Sequence, residues 1–186
     1  PIIAYSIQAA LDSGLFDEVM VSTDDAEIAA VAEKYGAKIP FIRSNKNSDD
    51  NATTIDVLIE VVDSYKLREI SFDNVCCIYP CAPFVTADRL VTAYQLMIGK
   101  NLDSVFPIME YGFPIQRSVR VINGLVEFAY PEFSLTRSQD LEKRYHDAGQ
   151  FYFMKISDTI RKKQFLTKNS GALVISEIEG QDIDNE

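Results

Sequence analysis

Asp182 and Asp184 close the sequence in the run QDIDNE, two carboxylates one residue apart behind an apolar stretch. In a strand they share a face, because side chains alternate with a period of two. Like charges held side by side repel, so the pair is favourable when a cation or a polar ligand sits between them. On these residues alone two readings stay open: a charged sheet edge that discourages aggregation, and a metal site with oxygen ligands. The metal would be magnesium, calcium or manganese. His146 is the only histidine and the three cysteines, Cys76, Cys77 and Cys81, crowd into one short stretch, which leaves no Cys/His set for zinc.

Three other segments have residue types that can do chemistry. STDD at 22–25 follows an apolar run and opens a helical pattern, so Asp24 and Asp25 are candidates for helix caps or ligand contacts. YPCAPF at 79–84 leaves another apolar run, and its two prolines stiffen a loop able to hold a ligand or merely turn a corner. RSQDLEKRYHDAGQFYF at 137–153 gathers Arg137, Gln139, Asp140, Lys143, Arg144, His146, Asp147 and Gln150 ahead of a strand. Alone it reads as a solvated face; converging on a cleft, its guanidinium groups can pair bidentately with a carboxylate or phosphate.

The elements that must position these groups are legible from periodicity. Ile3, Ile7, Ala10 and Leu11 mark a first helix that Gly14 stops. EVMVST predicts a strand, and the next helix carries Ile28, Val31, Ala32 and Tyr35 on one face, with Asp24 and Glu27 spaced as a capping pair. AKIPFIR predicts a second strand; Ile55, Leu58, Ile59, Val62 and Tyr65 mark a third helix. NVCCIYP reads as a strand inside a sheet, TADRLVTAYQLMIG as a helix between Thr86 and Gly99, and LDSVFPI as a further strand. This alternation predicts an α/β fold, a parallel sheet with helices on both faces. In such sheets ligands bind beyond the carboxyl ends of the strands. From Glu110 the rhythm changes. SVRVINGLVEFAY is a hairpin around Asn123 and Gly124, an inserted arm; QFYFMKI is a strand, SDTIRKKQFL a short helix, and GALVISEIEGQDID two closing strands.

At 186 residues the chain is long enough for one domain that buries about 70% of its unfolded surface. Eighteen basic and 28 acidic side chains give a net charge of −10, which repels nucleic acid and anionic membrane at long range, so neither is expected as a partner. An odd, crowded set of cysteines fits a reducing, cytoplasmic setting. No run reaches the ~18 apolar residues of a membrane span, and no signal peptide is visible. Pro1 opens the chain without a methionine and an acidic run stops it, so both ends read as cut.

Taken in order and spacing, PIIAYSIQAALDSGLFDEVMVSTDDAEIAAVAEKYGAKIPFIR, YPCAPF, RSQDLEKRYHDAGQFYF and QDIDNE resemble the CMP-sialic acid synthetase family of cytidylyltransferases, over nearly the whole chain. Sialic acid enzymes of that family carry a QPTSP-like loop and an NGAIY-like strand entry; YPCAP and AGQFY here are similar to the bacterial pseudaminic acid cytidylyltransferases. The resemblance implies a three-layer, Rossmann-like nucleotidyltransferase fold with a mostly parallel sheet and a hairpin arm through which two copies form a homodimer. The implied reaction joins CTP to a nine-carbon acidic keto sugar, giving a CMP-sugar and pyrophosphate for bacterial surface glycan or flagellin glycosylation, and requires magnesium. By that similarity Asp182 and Asp184 are catalytic and hold the metal. Asp24, Arg43, Thr54 and Pro80 lie by the nucleotide, with Thr54 where a serine is usual. Arg137, Gln139, Asp140, Gln150 and Tyr152 face the sugar, and Tyr79 stands where a sugar-contacting glutamine is usual.

The expected domain is single over 1–186, with the arm and sugar-facing segment at 110–149 inside it. The family opens on a strand and a Gly/Ser/Lys/Arg-rich loop that wraps the triphosphate, and the present sequence starts just after that place. Without the loop, triphosphate binding is expected to weaken by several kcal/mol, each charge-assisted hydrogen bond contributing ~1.5–3 kcal/mol, and the chain to turn over little. Rival readings are a synthetase for N-acetylneuraminate or legionaminate, a glycosyltransferase, an aspartyl phosphatase, and an inactive nucleotide-binding or dimerisation remnant. A glycosyltransferase places its DxD pair mid-chain and the phosphatase after its first strand.

Overall fold

The structure is a computed structural model and describes residues 1–49 and 51–181. Among the described residues four α-helices are present: α1 (Ile3–Ser13), α2 (Ala26–Lys34), α3 (Thr54–Lys66) and α4 (Ala87–Gly99). Each of the last three starts on a side chain that accepts a helix N–H: Asp25 for α2, Thr53 for α3 and Thr86 for α4. The cap of α2 is thus Asp25 and not the expected pair of Asp24 with Glu27, since Asp25 Oδ1 accepts from Glu27 N at 2.7 Å and Ile28 N at 3.0 Å. The buried residues of α2 are Ala29 and Ala32, while Ile28 and Tyr35 are exposed.

The main sheet has five strands: β1 (Asn74–Ile78), β2 (Ser104–Glu110), β5 (Tyr145–Asp147), β6 (Phe151–Lys155) and β7 (Ser170–Ile175). It is mixed, and the expected mostly parallel sheet is corrected. β6 runs antiparallel between β1 and β2, β5 pairs antiparallel with the far half of β2, and only β7 lies parallel to β2. The reason is topological: β1, α4 and β2 form a crossover that points both strands the same way, but the chain returns from the arm in the opposite direction and fills the gap. β5 and β6 read as one returning strand broken at Ala148–Gln150, where Gly149 takes a left-handed φ of 64°.

Alternation along β6 builds the layers. Phe151 and Phe153 face Ala9 of α1 and Leu90, Ala93 and Met97 of α4, while Tyr152 and Met154 face Leu58 of α3 and Ile156 and Ile160 beyond the strand. Helices therefore cover both faces of the sheet, as the sequence pattern requires. The adjacent cysteines divide in the same way, Cys76 against the α1/α4 side and Cys77 against the α3 side. They are free thiols, and burial pushes Cys77 up to about 12.

Two expected strands are reduced to a single parallel bridge, Met20 to Lys38. Lys38 N donates to Val19 O and Val21 N to Lys38 O. The next rung falls on Pro40, which has no N–H to give, so the ladder between EVMVST and AKIPFIR is interrupted there, and the bond from Arg43 N to Thr23 O lies beyond the break. Of the helix expected over 157–166, the structure has one π-type turn, Ile156–Ile160. Of the two closing strands β7 is present; 177–180 form a turn, and the remainder lies outside the described residues.

The arm is a separate two-stranded sheet, β3 (Val119–Ile122) against β4 (Leu125–Phe128). Asn123 and Gly124 both hold a positive φ, 51° and 79°, as a two-residue hairpin turn with the right twist demands. Val121, Leu125 and Val126 of this hairpin are 66–75% exposed.

Candidate active site

β1, β2 and β7 point the same way, so their carboxyl ends bring the 79–84 loop, Glu110 and the 176–180 turn to one edge of the sheet. Tyr79 leaves β1 there. Its N–H donates to Gln150 O at 2.9 Å, and Ser6 Oγ of α1 donates to its carbonyl at 3.1 Å. Its phenol shares a hydrogen bond with Thr54 Oγ1 at 3.2 Å. The Tyr79 ring lies 5.4 Å from that of Tyr152, whose hydroxyl donates to Asp147 Oδ2 at 2.8 Å. Asp147 also accepts from Gly149 N at 2.8 Å and so holds the break between β5 and β6. Burial, and then the bond to Asp147, push the Tyr152 phenol well above its ordinary value, so it stays a neutral donor. Thr54, Tyr79, Gln150 and Tyr152 are thus brought together, with Pro80 exposed at the turn that follows.

Gln150 is buried to 1% exposure. Its Nε2 donates to Glu179 O at 2.5 Å, while its Oε1 has no partner among the described residues. Glu179 in turn accepts at Oε2 from Ser176 N at 3.0 Å and Ser176 Oγ at 2.7 Å, and at Oε1 from Arg89 Nη2 at 2.5 Å. The Ser176 donors first, with the Arg89 guanidinium behind them, hold this carboxyl below the usual range. The chain then continues to Asp182 and Asp184, which lie outside the described residues. Among the described residues no group of three acidic, histidine or cysteine side chains could hold a metal ion.

Arg43 and Asp24 meet from the segments that flank α2. Arg43 N donates to Thr23 O at 2.9 Å, and its Nη2 reaches Asp24 Oδ1 at 3.3 Å. Its Nε is buried with no partner among the described residues. The neighbouring Glu60 of α3 accepts from Ser44 N and Ser44 Oγ, each at 2.7 Å, and from the Asn47 amide. Burial pushes Glu60 up, but those donors and the Arg43 charge outweigh it and its carboxyl stays below the ordinary value.

The 137–153 segment divides in two. Gln150 and Tyr152 belong to the sheet, whereas Arg137 and Asp140 are exposed and pair loosely with each other at 3.8 Å. No hydrogen bond or ion pair among the described residues joins them to Tyr79 or Gln150. Gln139 instead lines a groove of about 360 Å³ at the end of β2, with Tyr111, Phe113, Lys143 and Arg144. Lys143 there pairs with Glu110 at 2.9 Å and Arg144 with Glu142 at 2.7 Å. Sequence reasoning missed Ser6, Arg89 and Glu179. Asp147 carries a readable signal, an aspartate two residues before a glycine that its carboxylate then caps.

Residues 1–179 match the family model described as cytidylyltransferase. The chain belongs to the cytidylyltransferase family. It is 43% identical over 154 residues to the pseudaminic acid cytidylyltransferase of Campylobacter jejuni, an alignment covering 82% of this chain and 66% of that protein. It is 35% identical to a Helicobacter pylori protein named pseudaminic acid cytidylyltransferase and UDP-2,4-diacetamido-2,4,6-trideoxy-beta-L-altropyranose hydrolase, covering 98% of this chain and 35% of that one. To the CMP-N,N'-diacetyllegionaminic acid synthase of Legionella pneumophila it is 31% identical, covering 99% of this chain and 80% of the relative. The chain thus spans slightly less than two thirds of the Campylobacter relative's length. Among solved structures, CMP:2-keto-3-deoxy-manno-octonic acid synthetase complexed with CTP superposes with a TM-score of 0.65 at 16% identity, covering 95% of this chain and 79% of that one. The expected nucleotidyltransferase-like α/β fold is borne out.

Proposed function

We propose that this chain is the core of a cytidylyltransferase that joins CTP to a nine-carbon acidic keto sugar, pseudaminic acid before its epimers, releasing pyrophosphate. The observation that carries the reading is the meeting, at one sheet edge, of YPCAPF through Tyr79, AGQFYF through Gln150, and the turn that leads to the DID pair. Family membership and the name of the 43%-identical relative support the chemistry and the choice of sugar.

In this reading the anomeric hydroxyl of the sugar, giving up its proton to solvent, attacks the α-phosphate of CTP, a new O–P bond forms, and pyrophosphate leaves with the electron pair of the broken P–O bond. Such transfers need alignment and charge neutralisation more than covalent help. Asp182 and Asp184 would hold magnesium, which when bound neutralises charge on the triphosphate. Arg43 offers a guanidinium to the nucleotide, held in place by Asp24 and by its backbone bond to Thr23. Thr54 and Tyr79 present linked hydroxyls, and Arg137, exposed and 3.8 Å from Asp140, is open to pair with the sugar carboxylate. Tyr152, its hydroxyl committed to Asp147, holds the Tyr79 ring in position.

With full-length protein, CTP and a panel of acidic keto sugars, pseudaminic acid is expected to be consumed fastest, measured as pyrophosphate released. N-acetylneuraminate or a legionaminate turning over faster would remove the sugar assignment. The exposed apolar hairpin of β3 and β4 is the proposed dimerisation arm, since an unpaired ribbon of this kind is poorly stable alone. Light scattering is expected to give a dimer at micromolar concentration; a monomer would overturn the arm's role. Among the described residues no helix is long and apolar enough to cross a membrane, and the cytoplasm, where free thiols persist, is the proposed compartment.

A further inference from the structure

Two phenols and a carboxylate meet where the returning strand is broken, and only the break lets them meet. In an unbroken strand Asp147 and Tyr152, five positions apart, would point to opposite faces and stand roughly 16 Å from each other. Instead Gly149 turns the chain with a φ of 64°, and the Tyr152 hydroxyl donates to Asp147 Oδ2 at 2.8 Å. The other carboxylate oxygen, Oδ1, accepts from Gly149 N at 2.8 Å and closes the turn. Tyr79 is tied to the same place, its N–H bonded to Gln150 O at 2.9 Å and its ring 5.4 Å from that of Tyr152. Its hydroxyl continues the row to Thr54 Oγ1 at 3.2 Å. The body of Tyr152 is buried against the α3 layer, while Asp147, on which its tip ends, is exposed. Burial first, and then the carboxylate and the neighbouring Tyr79 hydroxyl, keep the Tyr152 phenol protonated.

The row has a direction. A carboxylate only accepts, whereas a hydroxyl gives one hydrogen and accepts with its lone pairs. Asp147 takes the one hydrogen of Tyr152, so any further group that bonds to the Tyr152 oxygen must be a donor. From this geometry we infer that Asp147 is a positioning residue acting through Tyr152: it fixes the Tyr152 oxygen as an acceptor, and so selects a sugar that brings an O–H or N–H to it. The inference rests on the function proposed above, in which Tyr152 and Tyr79 face the sugar, and adds Asp147 to that site. A pocket built to hydrogen-bond one substrate group rejects analogues that lack it far more strongly than an apolar pocket rejects a change of size.

Asp147→Asn separates the two tasks of this carboxylate. The amide oxygen still accepts from Gly149 N, while the amide nitrogen faces Tyr152 as a donor and reverses the row. The experiment follows steady-state pyrophosphate release by full-length protein with CTP and the acidic keto sugar that wild type consumes fastest, for wild type, Asp147→Asn, Tyr152→Phe and the double variant. KM for the sugar is expected to rise roughly tenfold or more in each single variant. KM for CTP stays within about twofold, and Asp147→Asn keeps its thermal midpoint. The double variant is expected to be no worse than Tyr152→Phe, because Asp147 acts through the hydroxyl which that change removes. A sugar KM within about twofold of wild type in Asp147→Asn, or single effects that multiply in the double variant, would make Asp147 a turn cap only and overturn the inference with the proposed function left standing. Tyr152→Phe leaves the cap in place, so an unchanged sugar KM there overturns the inference even should Asp147→Asn fail to fold. A wild type that releases no pyrophosphate with any acidic keto sugar would overturn the proposed function and the inference together.

Discussion

Asp184→Asn in full-length protein is expected to remove magnesium-dependent pyrophosphate release, lowering kcat/KM by about a thousandfold or more, equivalent to about 4 kcal/mol of transition-state stabilisation. The physical reason lies in what a DID pair costs and offers. Two neighbouring carboxylates repel until a cation lies between them, and an amide in place of one removes half of the charge that draws the ion in. Among the described residues no group of three acidic, histidine or cysteine side chains is placed to hold a metal. Steady-state assays at several magnesium concentrations separate a weakened ion from a slowed step. Turnover retained at the wild-type level would count against any metal role for the pair.

Phe153→Ala is expected to destabilise the fold by about 3–5 kcal/mol, as large aromatic-to-alanine changes in cores do. Phe153 is 2% exposed and central to the α1/α4 layer. Its ring stacks on Phe16 at 5.9 Å and packs on Tyr94 at 5.6 Å and on Phe151 at 5.9 Å. Its neighbours on β6 are Tyr152, which faces the other layer and supports Tyr79, and Gln150 lies at the strand's entry, so loosening this strand loosens the site. Urea unfolding would read the loss as a lower midpoint at unchanged slope. A cost under about 1 kcal/mol would mean that the aromatic cluster repacks without it.

Local signals in the sequence translated well where one element decides the outcome. Thr86 and Gly99 bound α4 as written, Asn123–Gly124 makes the hairpin turn, and the alternation of QFYFMKI assigns Phe153 and Tyr152 to opposite layers. Direction within the sheet was only partly legible, because a βαβ rhythm fixes the common sense of β1 and β2 across α4 but says nothing about a strand that returns from an insertion, or about β7 behind it. Pro40 shows the opposite case: its missing N–H was visible in the sequence, yet its effect depends on which rung it occupies, and pairing alone reveals that. The candidate site divides along the same line. Tyr79 and Gln150 sit at strand ends, where the α/β rule puts ligand contacts, and they meet. Arg137 and Asp140 lie in the loop after the arm, whose course no periodicity encodes. Arg89 and Glu179 are ninety positions apart, and only the folded chain makes them neighbours.

The most direct test is a crystal structure of the full-length protein with CTP and magnesium. The expected result is an ion bridging the triphosphate and the carboxylates of Asp182 and Asp184, with the nucleotide beside Arg43 and Thr54 at the carboxyl edge of the sheet. An ion held elsewhere, with both aspartates turned to solvent and the nucleotide at another surface, would contradict it.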